Sequence, residues 1–423
     1  MKEDFLHHLW KYRNLTSQIQ FSSKGQRIEI IHPGWHNRDA GPDFFNARIR
    51  IDGLEWAGNV ELHVKSSDWV THGHSSDRAY DSVILHVVYE DDQPEKLRDV
   101  HFPTLALKGC VDVSVMDKYE ALKRNESFVP CASAISGILD NKALISSYME
   151  RLFVEKLEFK VALITKLLKV NNGDWNETYY QWLARSFGLG KNRLPFELLA
   201  RSVPLSILEK EGYKLEQLEA LFFGQAGFLF DKAEDPYTAQ LQGRYRSLRC
   251  KYELEPLDAH LWKFSRLRPG NFPTLRIAQF AALVHAKSAG LQQVVEMENI
   301  NVLYQCFKLK AANYWSTHSK FGRAASHRPI KLGQQSVDSI LINAVLPILF
   351  AYGRKVDRLD LEERAISLMG AIKTESNTIL SSWKELGLST GSAMESQALI
   401  HLKKEYCDHK KCLSCAIGAA ILK

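Results

Sequence analysis

The apolar residues of this chain change their period about a quarter of the way along, and that change constrains its fold more than any other feature. Before residue 110 they come in short runs suited to strands, at residues 27–32, 44–51, 56–65, 83–89 and 104–108. From Asp117 onward Leu, Ile, Phe and Val recur three and four residues apart, most clearly at 142–170, 175–187, 215–223, 277–285 and 337–350. Strand side chains repeat every two residues and helical ones every 3.6, so the first pattern builds a sheet and the second a helical array. A chain of 423 residues also exceeds what one hydrophobic core sustains. The expected fold class is therefore α+β, with an N-terminal mixed β-sheet domain with flanking helices over residues 1–116 and a large all-α domain over 117–423.

Local features sharpen this. Phe5, Leu6, Leu9 and Trp10 share one helical face, which predicts an opening helix over 3–13. Asp52-Gly53 between two strand patterns predicts an antiparallel hairpin. The nearly unbroken apolar run at 83–89 predicts a central strand covered on both faces. The loops at 188–195, 268–273 and 321–333 carry Gly and Pro, and the stretch 316–331 is a basic loop or lid. With 45% hydrophobic and 25% charged residues and no run near the roughly 20 apolar residues of a membrane span, the expectation is a soluble protein without a membrane partner. The start MKEDFLHHLWKYR lacks the basic cap and apolar core of a secretory signal, which points to the cytoplasm. A net charge of +6 is compatible with a polyanionic partner and does not require one.

Chemistry concentrates on the strands. In the run Val60 to Lys65, the alternation sets Glu61, His63 and Lys65 on one face and Val60, Leu62 and Val64 on the other. Polar groups on an interior strand need solvent or a ligand. Asp43, just before the paired strand, comes within reach of Glu61, and two carboxylates from adjacent strands form a hard oxygen site for Mg²⁺ or Mn²⁺. Pro42-Asp43 and Glu61-Leu62-His63, 18 residues apart from acid to acid, resemble the two elements of the PD-(D/E)xK nuclease superfamily. Its core runs helix, three strands, helix, strand. The resemblance implies a metal-dependent nuclease in which Asp43 and Glu61 bind the ion, joined by the carbonyl of Leu62. His63 or Lys65 then handles the attacking water or the charge on phosphorus, and Glu3 or Asp4 adds a ligand. His63 stands where the family has lysine, which leaves open a relative that binds nucleic acid without cutting it.

A second group follows at Asp68, His72, His74, Asp77, Tyr80, Asp81 and His86. A His-x-His pair with a nearby acid suits zinc or iron. The rival function is thus a transition-metal enzyme using His72 and His74 with His63 and His86. Equally, His72, His74 and Asp77 serve as turn residues that cap the loop, and His86 as a core histidine.

Cys407-x4-Cys412-x2-Cys415 suits zinc, with His409 or Cys131 as a fourth ligand. An iron-sulfur cluster of the kind some PD-(D/E)xK nucleases carry is the alternative the resemblance allows, and reduced packed thiols are the plain one. The remaining cysteines are scattered and do not make a disulfide framework. Arg266, Arg268 and Arg276 alternate with Trp262, Phe264 and Phe272 in a composition that suits nucleic acid or a packed interhelical loop. Over nearly its full length, through Gly41 to Ala47, Ala57 to His63, Tyr80 to Val88, Arg266 to Thr274 and the cysteine knuckle, the chain resembles an uncharacterised bacterial family of unknown function. A non-catalytic helical scaffold for a protein partner is the third functional expectation.

Overall fold

Asp52 and Gly53 both take positive φ, 49° and 88°, the two left-handed residues that a tight hairpin turn demands. They join β4 (Phe44–Ile51) to β5 (Leu54–Lys65), antiparallel from Ile51 opposite Leu54. The computed structural model describes residues 2–37, 39–97, 100–288 and 290–423. Around the hairpin lie β1 (Ile19–Phe21), β2 (Arg27–His32), β3 (Trp35–His36), β6 (Val83–Glu90) and β7 (Thr104–Ala106). The sheet runs β1-β2-β4-β5-β6-β7, with β3 added to β4. β1, β2, β4 and β5 pair antiparallel, whereas β6 pairs parallel with both β5 and β7. β6 is central and largely buried, as its continuous apolar run predicts.

The parallel pairing has a consequence. Two parallel neighbours cannot be joined by a tight turn, so the chain must cross over one face of the sheet. Residues 66–82 make that crossing through a short helix, α2 (Asp68–Thr71), and two turns of 3₁₀ helix at His74–Ser76 and Arg78–Tyr80. Trp69 anchors the crossing in a core with Val83, Leu97 and Phe102, its indole N–H donating to Ser75 Oγ at 3.0 Å. At the start of β6 the strands come close: a Cβ on Gly58 would lie 2.4 Å from Ile84 Cγ2 and 2.8 Å from the Ser82 carbonyl. Glycine at 58 is required by that approach.

α1 (Glu3–Tyr12) packs on β5. Glu3 and Asp4 sit in its first turn, where the helix dipole favours acids, and Phe5, Leu6, Leu9 and Trp10 are fully buried, each worth about 1.5–3 kcal/mol or more. The Trp10 indole donates to the Pro33 carbonyl at 2.9 Å. α3 (Val113–Arg124) meets α1 through Tyr119, stacked on Phe5 at 4.1 Å. The chain forms two compact units, Met1–Tyr148 together with Leu402–Lys423, and Met149–His401. This differs from the division at residue 116 drawn from periodicity. The change of period marks where helices begin, whereas α3, α4 (Ser136–Leu139) and the last 22 residues still pack with the sheet.

The second unit is helical. Phe280 gathers the rings of Tyr180, Phe187, Phe196 and Phe222 at centroid distances of 5.0–6.4 Å. The partly buried Lys160 Nζ donates to the Ile342 carbonyl, Asn343 Oδ1 and Gln397 Oε1. Ile342 lies in a π-helical turn, Leu341–Val345, where a widened helix frees a carbonyl. That turn joins flanking segments into one helical run, Gln334–Lys355, apolar and long enough by composition to span a membrane, with 72% of its most apolar window buried. It packs as a core helix.

Candidate metal centre

The site is assembled from four pieces of the first unit. β5 alternation aims Glu61 and His63 to one face, where both are buried at 5% and 1% exposure. Asp43 precedes β4 at a bulge, with Asn46 at φ 53° and the pairing register shifted between Phe44 and Ala47. Bulges re-aim side chains beside functional sites. Here the bulge is accompanied by a reciprocal lock: Glu61 Oε2 accepts from the Asp43 amide at 3.0 Å and Asp43 Oδ2 accepts from the Leu62 amide at 2.9 Å. α1 contributes Glu3 and His7 one turn apart, with His7 Nε2 3.3 Å from Asp43 Oδ2 and 3.8 Å from Glu3 Oε1. The crossover returns His72 and His74 to the sheet.

The two groups separated by sequence reading meet on Glu61. Its Oε1 lies 3.6 Å from His63 Nε2 and 3.5 Å from His74 Nε2, and His63 Nε2 lies 3.1 Å from His72 Nδ1. Ring nitrogens of His63, His72 and His74 all fall within 4.8 Å of one another, as do ligand atoms of Glu3, His7 and Asp43. Behind His63, its Nδ1 lies 2.9 Å from His86 Nε2. Trp69 and Tyr80 wall the imidazoles, with Tyr80 3.9 Å from the His74 ring.

Burial governs the protonation of these groups. It pushes the Glu61 carboxyl up to about 8, with the neighbouring Asp43 charge adding and the Asp43 amide opposing. It pulls His63 down to about 3, with His74, His72 and His7 adding, and His86 well below its ordinary value. His74 is lowered too, by burial and then His72. His7 goes the other way: burial opposes its charge, but the hydrogen bond and charge of Asp43, with Glu3 and Asp4, outweigh it and raise its pKa. Glu3 is raised by burial and by Asp43.

Burial holds His63 and His74 in the neutral form, the form in which an imidazole nitrogen binds a metal. His74 Nε2 is buried and has no hydrogen-bond partner, an arrangement that costs free energy without a cation. Donors held about 2.1 Å from one ion and separated by 3.1–3.6 Å subtend about 95–120°, within the range of tetrahedral and five-coordinate sites. The donor set fits a transition ion better than magnesium, which takes oxygen ligands. His86 would then accept from the distal N–H of His63, as second partners of metal-bound histidines do.

The structure treats the other sequence candidates unequally. Lys65, on the Glu61 face, is exposed at the end of β5. Asp77 caps the Arg78–Tyr80 turn through the Ala79 amide. His7 is not among the residues singled out from the sequence, where α1 offers Glu3 or Asp4 as the ligand; Glu3 and His7 at one-turn spacing is the pattern that signals it. In the second unit, Arg276 is 4% exposed and bonded to Asn271, Gln279 and Ser336, so this arginine is an internal brace, not a free phosphate contact. Arg266 and Arg268 are exposed. Arg268 lines a cavity of about 560 Å³ with Arg276, Arg328 and Lys331. Cys131, Cys407, Cys412 and Cys415 all belong to the first unit, and His409 is exposed.

Over residues 3–378 the chain matches the family described as protein of unknown function DUF2851. The chain belongs to this family. The matched span holds every residue of the centre described above and Cys131, and ends before Cys407. Comparison with the curated proteins and with the solved structures gives no match.

Proposed function

We propose that the first unit is a transition-metal-dependent hydrolase of nucleic-acid phosphodiester bonds. The observation that carries this reading is the position of Glu61, one oxygen tied to Asp43 and the other shared by His63 and His74. Its support on the side of substrate is the element order. After α1 come five antiparallel strands, of which β2, β4 and β5 are the long ones, then a helical crossover and the parallel β6; this order is similar to the helix, three strands, helix and strand that the resemblance to PD-(D/E)xK nucleases implies, with β1 and β3 added and with Asp43 and Glu61 at the two acidic positions.

His63, His72, His74 and Glu61 would hold the ion, which when bound would supply Lewis acidity. His7, inclined to keep its proton by Asp43 and Glu3, stands at the rim as the group that passes a proton to a departing oxygen. Trp35 is 70% exposed on β3, next in sequence to His36, whose ring lies 5.2 Å from His7. An exposed indole so placed offers a base a stacking surface.

The test is cleavage of single- and double-stranded DNA and RNA by protein loaded with Zn²⁺, Mn²⁺ or Mg²⁺, compared with Glu61→Ala and His72→Ala. Loss of cleavage and of one equivalent of bound transition metal per chain in both variants is the expected result. Equal activity and equal metal content in all three proteins would refute it. One observation favours a second reading, binding without cleavage: His63, in the place of the family lysine, is held neutral by burial and offers no positive charge to the phosphate. Metal-dependent binding with no product in any metal would select it.

A further inference from the structure

The chain's last 22 residues pack with the first unit although the second unit lies between them in sequence, and something must hold so short a segment in place. Its polar attachments include the Asn14 amide donating to the Leu422 carbonyl at 2.9 Å and Lys410 Nζ donating to the Lys123 carbonyl at 2.6 Å. Lys403 lies over the Phe128 ring at 5.0 Å. The helix Ala416–Ile421 packs against α4, which begins just after Cys131. Into this junction the segment brings three thiols, and α4's approach brings the fourth.

The backbone around the thiols is folded as two successive reverse turns, each opening on a cysteine. The Lys410 amide donates to the Cys407 carbonyl at 3.0 Å, and the Cys415 amide to the Cys412 carbonyl at 3.2 Å. Lys410 takes φ 51° to close the first. The second is pressed against the final helix so tightly that a Cβ on Gly418 would lie 2.2 Å from the Cys412 carbonyl oxygen. Cys131 and Cys415 are each 7% exposed, and Cys407 and Cys412 are half-buried. Cys415 caps the helix Ala416–Ile421, which packs on α4 just beyond Cys131, so the packing of these two helices brings the thiols to one junction.

We propose that Cys131, Cys407, Cys412 and Cys415 hold a structural zinc ion that clips residues 402–423 to the first unit. Four thiolates from a Cys-x2-Cys turn, a nearby third and a distant fourth complete a closed tetrahedral site. Among the described residues the groups with three ligand atoms all within 4.8 Å are those of the histidine and α1 sites. With the ion bound, the four sulfurs would stand roughly 3.8 Å apart, the spacing set by Zn–S bonds of about 2.3 Å. Each thiol gives up its proton to bind, and Lys403, Lys410 and Lys411 nearby offset the resulting negative charge.

The experiment counts zinc in the full-length chain carrying His72→Ala, which removes a ligand of the separate histidine centre. One zinc per chain is expected, falling below 0.1 in Cys131→Ser or Cys412→Ser added to that background and unchanged in Cys306→Ser. Cobalt exchanged into the otherwise unaltered protein is expected to show the intense sulfur-to-metal absorption of a tetrathiolate site, a readout that needs no cysteine variant to fold. Zinc retained in Cys131→Ser, or cobalt without thiolate absorption, overturns the proposal. So does acid-labile sulfide with iron in anaerobically purified protein.

Discussion

Replacing Glu61 by glutamine removes a buried acid of the centre that burial pushes up to about 8, and the consequence is measurable in protons. With its pKa near 8 in the metal-free protein, Glu61 is about nine-tenths protonated at pH 7 and about one-tenth at pH 9. His63, near 3, and the lowered His74 are already neutral and give up little. Binding of Zn²⁺ or Mn²⁺ should therefore release about 0.9 proton from this group at pH 7 and about 0.1 at pH 9, with affinity rising about 50-fold between pH 6 and 8. Titration calorimetry in buffers of different ionisation enthalpy reads the proton count directly. In Glu61→Gln the affinity should fall and its pH dependence flatten over the same window. A wild-type affinity that is level from pH 6 to 8, or a slope that survives in Glu61→Gln, would refute the assignment of Glu61 as a buried, proton-exchanging ligand.

Lys65→Ala should leave cleavage within about twofold, because surface substitutions away from contacts cost little, whereas His72→Ala should abolish it; steady-state assays on one substrate separate the two. Trp35→Ala should weaken binding of single-stranded oligonucleotides by about 1–3 kcal/mol, or roughly 5- to 150-fold, as loss of one stacked base predicts, read by fluorescence anisotropy. In the second unit, Glu219 is fully buried without a full hydrogen bond on either oxygen, and burial raises its pKa from 4.5 to about 8 despite the nearby Tyr237. An acid whose folded pKa is raised costs stability as pH climbs above the unfolded value. Wild type should lose about 2.5 kcal/mol from this group between pH 5 and pH 7, and Glu219→Gln should lose none of it, by chemical denaturation at each pH.

Much of the fold could be read from local pattern because local pattern dictates it. The Asp52-Gly53 hairpin, the apolar β6 and the face of α1 each declare themselves within a dozen residues. The centre does not. Nothing near His72 or His74 says that residues 66–82 cross over to a parallel strand, and it is that crossing which sets both rings against Glu61 and turns two apparent sites into one. The boundary at Tyr148 and the return of residues 402–423 are long-range packing outcomes, invisible to periodicity. Arg276 shows the limit of composition: bases interleaved with rings read alike whether the guanidinium faces water or, as here, Ser336 and Asn271 in the interior.

The split make-up of the first unit sets a timetable. Its sheet emerges early from the ribosome, but Leu402–Lys423 follows only after Met149–His401, an interval on the order of 13–50 s at about 5–20 residues per second. For that time the nascent sheet holds α4 and Cys131 without the segment that covers them. The part synthesised first is completed last, so a stall or a premature stop anywhere in the second unit leaves the first unfinished as well.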